Sequence, residues 1–234
     1  MTAQRYHLER AKYLRDTWPP RCDQHFFFTD NNSGQDESRF INVFQELKDG
    51  YDHLWPKTQA ALRYINKHYA DDFDWFLKAD DDTYVIIENL RKFLSRFNKS
   101  AHHYSGHRLK YELVHGHNSG GSGYIMSRST LKLLVSLLPN KTICPGGWAE
   151  DKEVARCLAN VGIYPTDTLD DKNRDRFVHM HPAHYMYQLL GVTAKELISP
   201  EVISIHQLQP AEYRLLDLFL YHVRRANLTT KRPN

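Results

Sequence analysis

Residues 74–85 read Asp-Trp-Phe-Leu-Lys-Ala-Asp-Asp-Asp-Thr-Tyr-Val, and this stretch constrains the chain more than any other. Its apolar start predicts a short buried strand, Trp75 to Leu77, that runs out into three consecutive carboxylates. Adjacent acids raise one another's pKa unless a cation sits among them. A hard divalent metal, with coordination sites left for water and phosphate oxygens, relieves that repulsion. The competing reading is an acidic turn that caps the next helix, since Asp and Thr favour helix starts.

The rest of the chain decides between the two. Its 234 residues suffice for one large domain with a full core, and 41% apolar and 25% charged residues are ordinary for a soluble protein. A formal net charge of +3 argues for neither nucleic acid nor a membrane surface. The 14 His fall into no zinc-finger spacing. No apolar run approaches the roughly 20 residues that span a bilayer, and no signal peptide opens the chain. Three Cys, Cys22, Cys144 and Cys157, leave an odd thiol.

In chain order, Leu8, Ala11, Leu14 and Trp18 predict a helix from Tyr6, stopped by Pro19-Pro20. His25–Thr29 reads as a buried aromatic strand, and residues 35–55 are open between strand and helix. A helix from Pro56 with Ala61, Leu62 and Ile65 inward precedes the acidic strand, and another with Ile87, Leu90 and Phe93 follows it. Strand and helix alternating in this way predict an α/β fold, a mostly parallel central sheet flanked by helices. Ligands of such sheets gather at the carboxyl ends of the strands, where the acids lie.

Further strands are expected at residues 103–105, 111–114 and 163–165, and a short helix near Tyr185 to Leu190. Ser119-Gly120-Gly121-Ser122-Gly123 lets a ligand approach the backbone. After a helix with Leu131, Leu134, Leu137 and Leu138 inward, a loop ending Gly147-Trp148-Ala149 delivers Glu150-Asp151 to the start of another helix. Residues 202–206 form a strand ending on His206, and Ala211 to Ala226 a helix with Leu215, Leu218, Phe219 and Val223 on one face. Residues 227–234 are a polar tail, and one domain over residues 1–234 is the simplest account.

Four blocks together resemble the glycosyltransferase family of the β-1,3-galactosyltransferases and Fringe proteins, most nearly its core 1 β-1,3-galactosyltransferase (T-synthase) branch. They are Trp75–Val85, Ser119–Tyr124, Glu150-Asp151 with Arg156-Cys157, and Ser204-Ile205-His206; Arg15–Trp18 and Asp52–Thr58 add to them. The resemblance implies a single GT-A (Rossmann-like) domain, lacking the family's anchor, stem and first strand. It also implies an inverting transfer from UDP-galactose to the 3-hydroxyl of GalNAc on Ser or Thr, with Mn2+, in the Golgi lumen. It assigns Asp80, Asp82 and His206 to the metal and Asp151 to the catalytic base. Asp52, Lys57, Asp80, Gly120, Gly121, Trp148 and Glu150 go to substrate binding. It further implies a Cys144–Cys157 bridge and a partner for Cys22 on the missing strand, involves no nucleic acid, and is compatible with a homodimer. Another donor or acceptor (a Fringe-like transfer), or a non-catalytic chaperone-like relative, stays open on sequence alone.

Overall fold

The computed structural model describes residues 1–36, 38–44, 46–47, 50–184 and 194–224. The chain enters through helical turns at Gln4–Tyr6 and His7–Ala11 that lead into α1 (Lys12–Leu14), and Pro19-Pro20 ends this segment as expected. Ala11, Leu14 and Trp18 pack into one core with Phe27, Tyr84, Ile87, Leu90, Phe93, Phe177 and Tyr213.

Strands β1 (Phe27–Thr29) and β2 (Phe40–Asn42) pair in parallel. Helix α2 (Leu54–Tyr69) then leads to β3 (Trp75–Lys78), which pairs antiparallel with β8 (Tyr124–Ser127), itself antiparallel to β5 (Tyr104–Gly106). Short strands β6 (Arg108–Leu109) and β7 (His117–Asn118) form a hairpin between them. A second sheet joins β4 (Tyr84–Val85), β10 (Ser204–Ile205) and β9 (Phe177–Val178), antiparallel across β4/β10 and parallel across β9/β10. Helices α3 (Ile87–Leu94), α4 (Arg128–Leu137) and α5 (Glu150–Ala159) cover these layers. A second core lies under α2, α4 and α5, built on Trp55, Tyr104, Met126, Leu131, Leu134, Val154 and Leu158.

The fold is α/β as expected, but most described pairings are antiparallel rather than parallel. The loop at residues 110–116 is one reason: it closes the β6/β7 hairpin, so the returning chain runs through β7 and the Gly-rich turn into β8, antiparallel to both β5 and β3. Strand β3, at one edge of its sheet, is only half-buried, whereas β5 at the other edge is buried. The amino terminus runs between the two sheet fragments, with Thr2 N–H donating to Phe28 O (3.0 Å) and the Met1 ammonium to Ala79 O (2.7 Å).

Three further expectations are corrected. Residues 111–114 are bends and turns with Tyr111 and Val114 exposed, and residues 163–165 form no strand; only Thr166 makes an isolated bridge to Ser105. The last helix, α6 (Pro210–Asp217), continues as a wider turn through Leu218–His222, and Leu215, Leu218, Phe219 and Val223 face solvent. It docks instead through Tyr213, whose hydroxyl donates to Asp81 O and Leu208 O, and through Leu216. The helix expected near Tyr185–Leu190 falls outside the described residues. Among the described residues no helix is long and apolar enough to cross a membrane.

Candidate active site

Strand register builds the acidic end of the site. In the antiparallel β4/β10 pair, Ser204 faces Val85 and Ile205 faces Tyr84, so the next residue, His206, arrives beside the acids that precede β4. The parallel β9/β10 pair sets the other side, with His206 N–H donating to Val178 O. Asp80, Asp82 and His206 are thereby brought together, with one ligand atom of each inside a 4.8 Å span.

The His206 ring is oriented by its own neighbour. Its Nδ1 lies 2.9 Å from His179 O, and a carbonyl only accepts, so Nδ1 carries the hydrogen and Nε2 points at Asp82 Oδ1, 3.2 Å away. A backbone carbonyl holding the far ring nitrogen is the usual support of a metal-ligating imidazole. Asp82 Oδ1 is buried with no well-oriented hydrogen-bond donor. A cation between Asp82 and His206 satisfies both atoms, and two carboxylates with one imidazole form a donor set suited to a divalent ion such as manganese. Burial favours the neutral form of each group, but their attraction prevails: Asp82 is held below the usual carboxylate range and His206 above the usual imidazole range.

The middle acid, Asp81, has a different part. Its carboxylate accepts from Thr2 Oγ1 (2.7 Å) and Arg10 Nη1 (3.0 Å), facing inward, and burial raises its pKa despite those donors. One member of the triplet thus anchors the amino-terminal segment, which relieves part of the repulsion the sequence posed.

A lysine inside the motif ties this end to the next. Lys78 Nζ donates to Asp80 Oδ1 (2.7 Å), Glu150 Oε1 (2.8 Å) and Gly120 O (3.0 Å). Glu150 is buried and also accepts from Tyr124 Oη at 2.9 Å. Burial pushes the Glu150 carboxyl up, opposed chiefly by Lys78, whose own pKa its two carboxylate partners raise against burial. Glu150 therefore faces the interior as a strut.

The Gly-rich turn fits between these groups because it lacks side chains. A Cβ on Gly120 would come within 2.2 Å of Glu150 Oε1, and one on Gly121 within 2.0 Å of His206 Cε1. Thr83 Oγ1 donates to Gly121 O at 2.6 Å, locking the turn to the acidic segment.

Asp151, in the first turn of α5, is partly exposed. Its Oδ1 accepts from Lys152 N–H (2.8 Å) and its Oδ2 from Gly120 N–H (3.1 Å), so two backbone amides fix the carboxylate plane. His117 Nε2 stands 3.9 Å from Oδ2, and this imidazole is buried, with burial lowering its pKa. The loop before α5 is pinned by a Cys144–Cys157 disulfide, as the resemblance implied; Cys22 is the one free thiol among the described residues.

Trp148 lies exposed on that loop, near Tyr51. Of the other expected substrate residues, Asp52 is exposed on the turn before α2, while Lys57 is buried with its ammonium 5.7 Å from the centre of the Phe44 ring. Sequence reasoning missed Lys78, Tyr124, His117 and Tyr51. Lys78 had a signal, a cation two residues before an acid on a strand; His117 and Tyr51 had none.

Comparison with known proteins follows this geometry. A family model described as Fringe-like matches residues 1–162. The chain belongs to the Fringe-like family. Its α/β architecture is that of a GT-A-like domain of this family. Among Fringe-like relatives, a Xenopus laevis glycoprotein-N-acetylgalactosamine 3-beta-galactosyltransferase 1 is 30% identical over 230 residues, 92% of this chain and 63% of that protein. Human chondroitin sulfate synthase 3 is 32% identical over 181 residues, 69% of this chain and 20% of that protein. A mouse beta-1,3-glucosyltransferase is 26% identical over 166 residues, 69% of this chain and 32% of that protein. The chain thus spans under two thirds of the length of each.

Proposed function

We propose that this chain is one catalytic unit, over residues 1–234, of a metal-dependent inverting β-1,3-galactosyltransferase. It would move galactose from UDP-galactose to the 3-hydroxyl of a GalNAc attached to Ser or Thr. The observation carrying this reading is the convergence of Asp80, Asp82 and His206 on one side of the Gly120-Gly121 turn, with Asp151 on the other.

Asp82, His206 and Asp80 would hold Mn2+, which when bound neutralises the charge of the departing diphosphate as a Lewis acid. Asp151 takes the proton from the acceptor hydroxyl. Its carboxylate is held in one plane by two backbone amides, so the accepting oxygen is aimed before the acceptor arrives. Gly120 links the two ends of the site, its N–H donating to Asp151 and its carbonyl accepting from Lys78, which holds Asp80; this shared support favours the positioning that an in-line transfer needs. Lys78 and Glu150 keep the two halves in register. Asp52, Lys57 and Trp148 are assigned to substrate contacts as part of the same proposal. The Xenopus relative's name supports galactose as the sugar moved and an N-acetylgalactosamine-bearing glycoprotein as its acceptor; UDP as the carrier and a Golgi-lumen setting are parts of the same proposal.

The test is a screen of UDP-sugars against a GalNAc-threonine peptide, with and without manganese. Manganese-dependent transfer of galactose supports the reading. Transfer of another sugar, or to a chondroitin-type acceptor, moves the chain elsewhere in the family. No transfer and no UDP binding sinks it.

A further inference from the structure

Tyr111, Tyr164 and Phe219 are exposed as well, but the pair Tyr51 and Trp148 is set apart by its place beside Asp151. Trp18 and Trp55 are buried, whereas Tyr51 is 69% and Trp148 47% exposed, and yet their rings hold together with centroids 5.3 Å apart and planes at 48°. Exposed aromatics scattered singly need no explanation, but two held as a corner beside a catalytic carboxylate do. Trp148 sits three residues before Asp151 on the disulfide-pinned loop, and Tyr51 on the turn that opens α2. The Tyr51 phenol is raised first by partial burial and next by the charge of Asp151, with Asp80 and Glu150 adding to it, so it stands in the field of those same carboxylates. Lys152, ion-paired with Glu112, holds its ammonium 5.4 Å from the Trp148 ring centre, so charged groups border the ring.

Apolar ring faces with polar groups at their edge suit one class of ligand. A pyranose presents a patch of C–H bonds on one face and hydroxyls around its rim. Aromatic side chains supply rigid contact area at low entropic cost, and a few convergent polar groups fix orientation. We infer that Tyr51 and Trp148 form a saccharide platform that seats the acceptor sugar and selects which hydroxyl meets Asp151. The platform deepens the transferase reading and rests on it for the role of Asp151; the binding it predicts is measurable without turnover.

The experiment uses saturation-transfer NMR with the methyl glycosides of N-acetylgalactosamine, galactose, N-acetylglucosamine and glucuronic acid. UDP calorimetry with manganese is run on the same samples. At least one glycoside binds the wild type and Trp148→Phe, and its affinity falls on the order of tenfold in Trp148→Ala and Tyr51→Ala, the size of one lost aromatic contact. Rescue by phenylalanine separates ring stacking from a loop defect, because both variants remove the indole N–H. The inference is overturned when no glycoside binds the wild type, or when Trp148→Ala binds as tightly as wild type. Loss of UDP binding alone defeats the transferase reading and leaves the platform result standing.

Discussion

The two halves of the site are built in opposite ways. The acidic half, with Asp82 and His206, hangs from strand ends whose register fixes it, and a backbone carbonyl orients the His206 ring. The other half, with Trp148 and Asp151, rides on a loop and a helix start, held by one disulfide and two backbone amides. The difference teaches where variation is tolerated. Rigid strand ends suit a nucleotide and cation that relatives would share, whereas a loop stapled at one point changes its exposed residues without disturbing the sheet. Relatives named for different sugars and polymers fit that division.

Substitutions test the contrast, beginning with the largest expected effect. Asp151→Asn should lower kcat by about 10²–10⁴-fold, the usual worth of a general base, while UDP binding in calorimetry stays near wild type. Asp82→Ala should remove both; equal effects of the two variants would erase the distinction between the halves. Lys78→Met leaves Glu150 buried without its cation and should cost about 3–5 kcal/mol in urea unfolding. Adding Glu150→Gln should recover part of that loss, since no uncompensated charge then remains. Replacing Cys144 and Cys157 by Ser should cost about 2–4 kcal/mol and raise the acceptor KM more than the UDP Kd.

Two pH effects follow with definite sign. Asp82 raises the His206 pKa above 6.5, so a proton competes with a metal at Nε2. Manganese affinity should therefore rise as pH increases between about pH 6 and pH 8, and His206→Gln should flatten that rise. The smallest effect concerns Cys22, whose thiol burial pushes up to about 11 from 9.0. Near pH 9 the folded thiol stays protonated, so iodoacetamide should label it far more slowly than in urea.

Much of this was legible in the residues. The acidic block and the Glu150-Asp151 helix start could be placed, because in each an apolar or aromatic run ends in adjacent acids at the edge of a regular element. The Gly-rich turn could be placed but not explained, since the side chains that exclude a Cβ come from residues 150 and 206. Strand direction was misread because alternating strands and helices favour parallel crossovers, whereas the hairpin loop at 110–116 reverses the chain ahead of β8 and β10 meets β4 antiparallel. The α6 face was misread because a hydroxyl donating to two backbone carbonyls is invisible to apolar periodicity. Glu150 was assigned to substrate binding by the resemblance; its bonds to Lys78 and Tyr124 depend on the β3/β8 register, which no local pattern shows.

Electron paramagnetic resonance of Mn2+ with UDP tests the central claim most directly, using protein labelled with 15N at histidine. A 15N hyperfine coupling that vanishes in His206→Gln, with UDP phosphorus coupled to the same ion, is the predicted result. Manganese and UDP bound with neither coupling, or a nitrogen coupling that survives in His206→Gln, would contradict it.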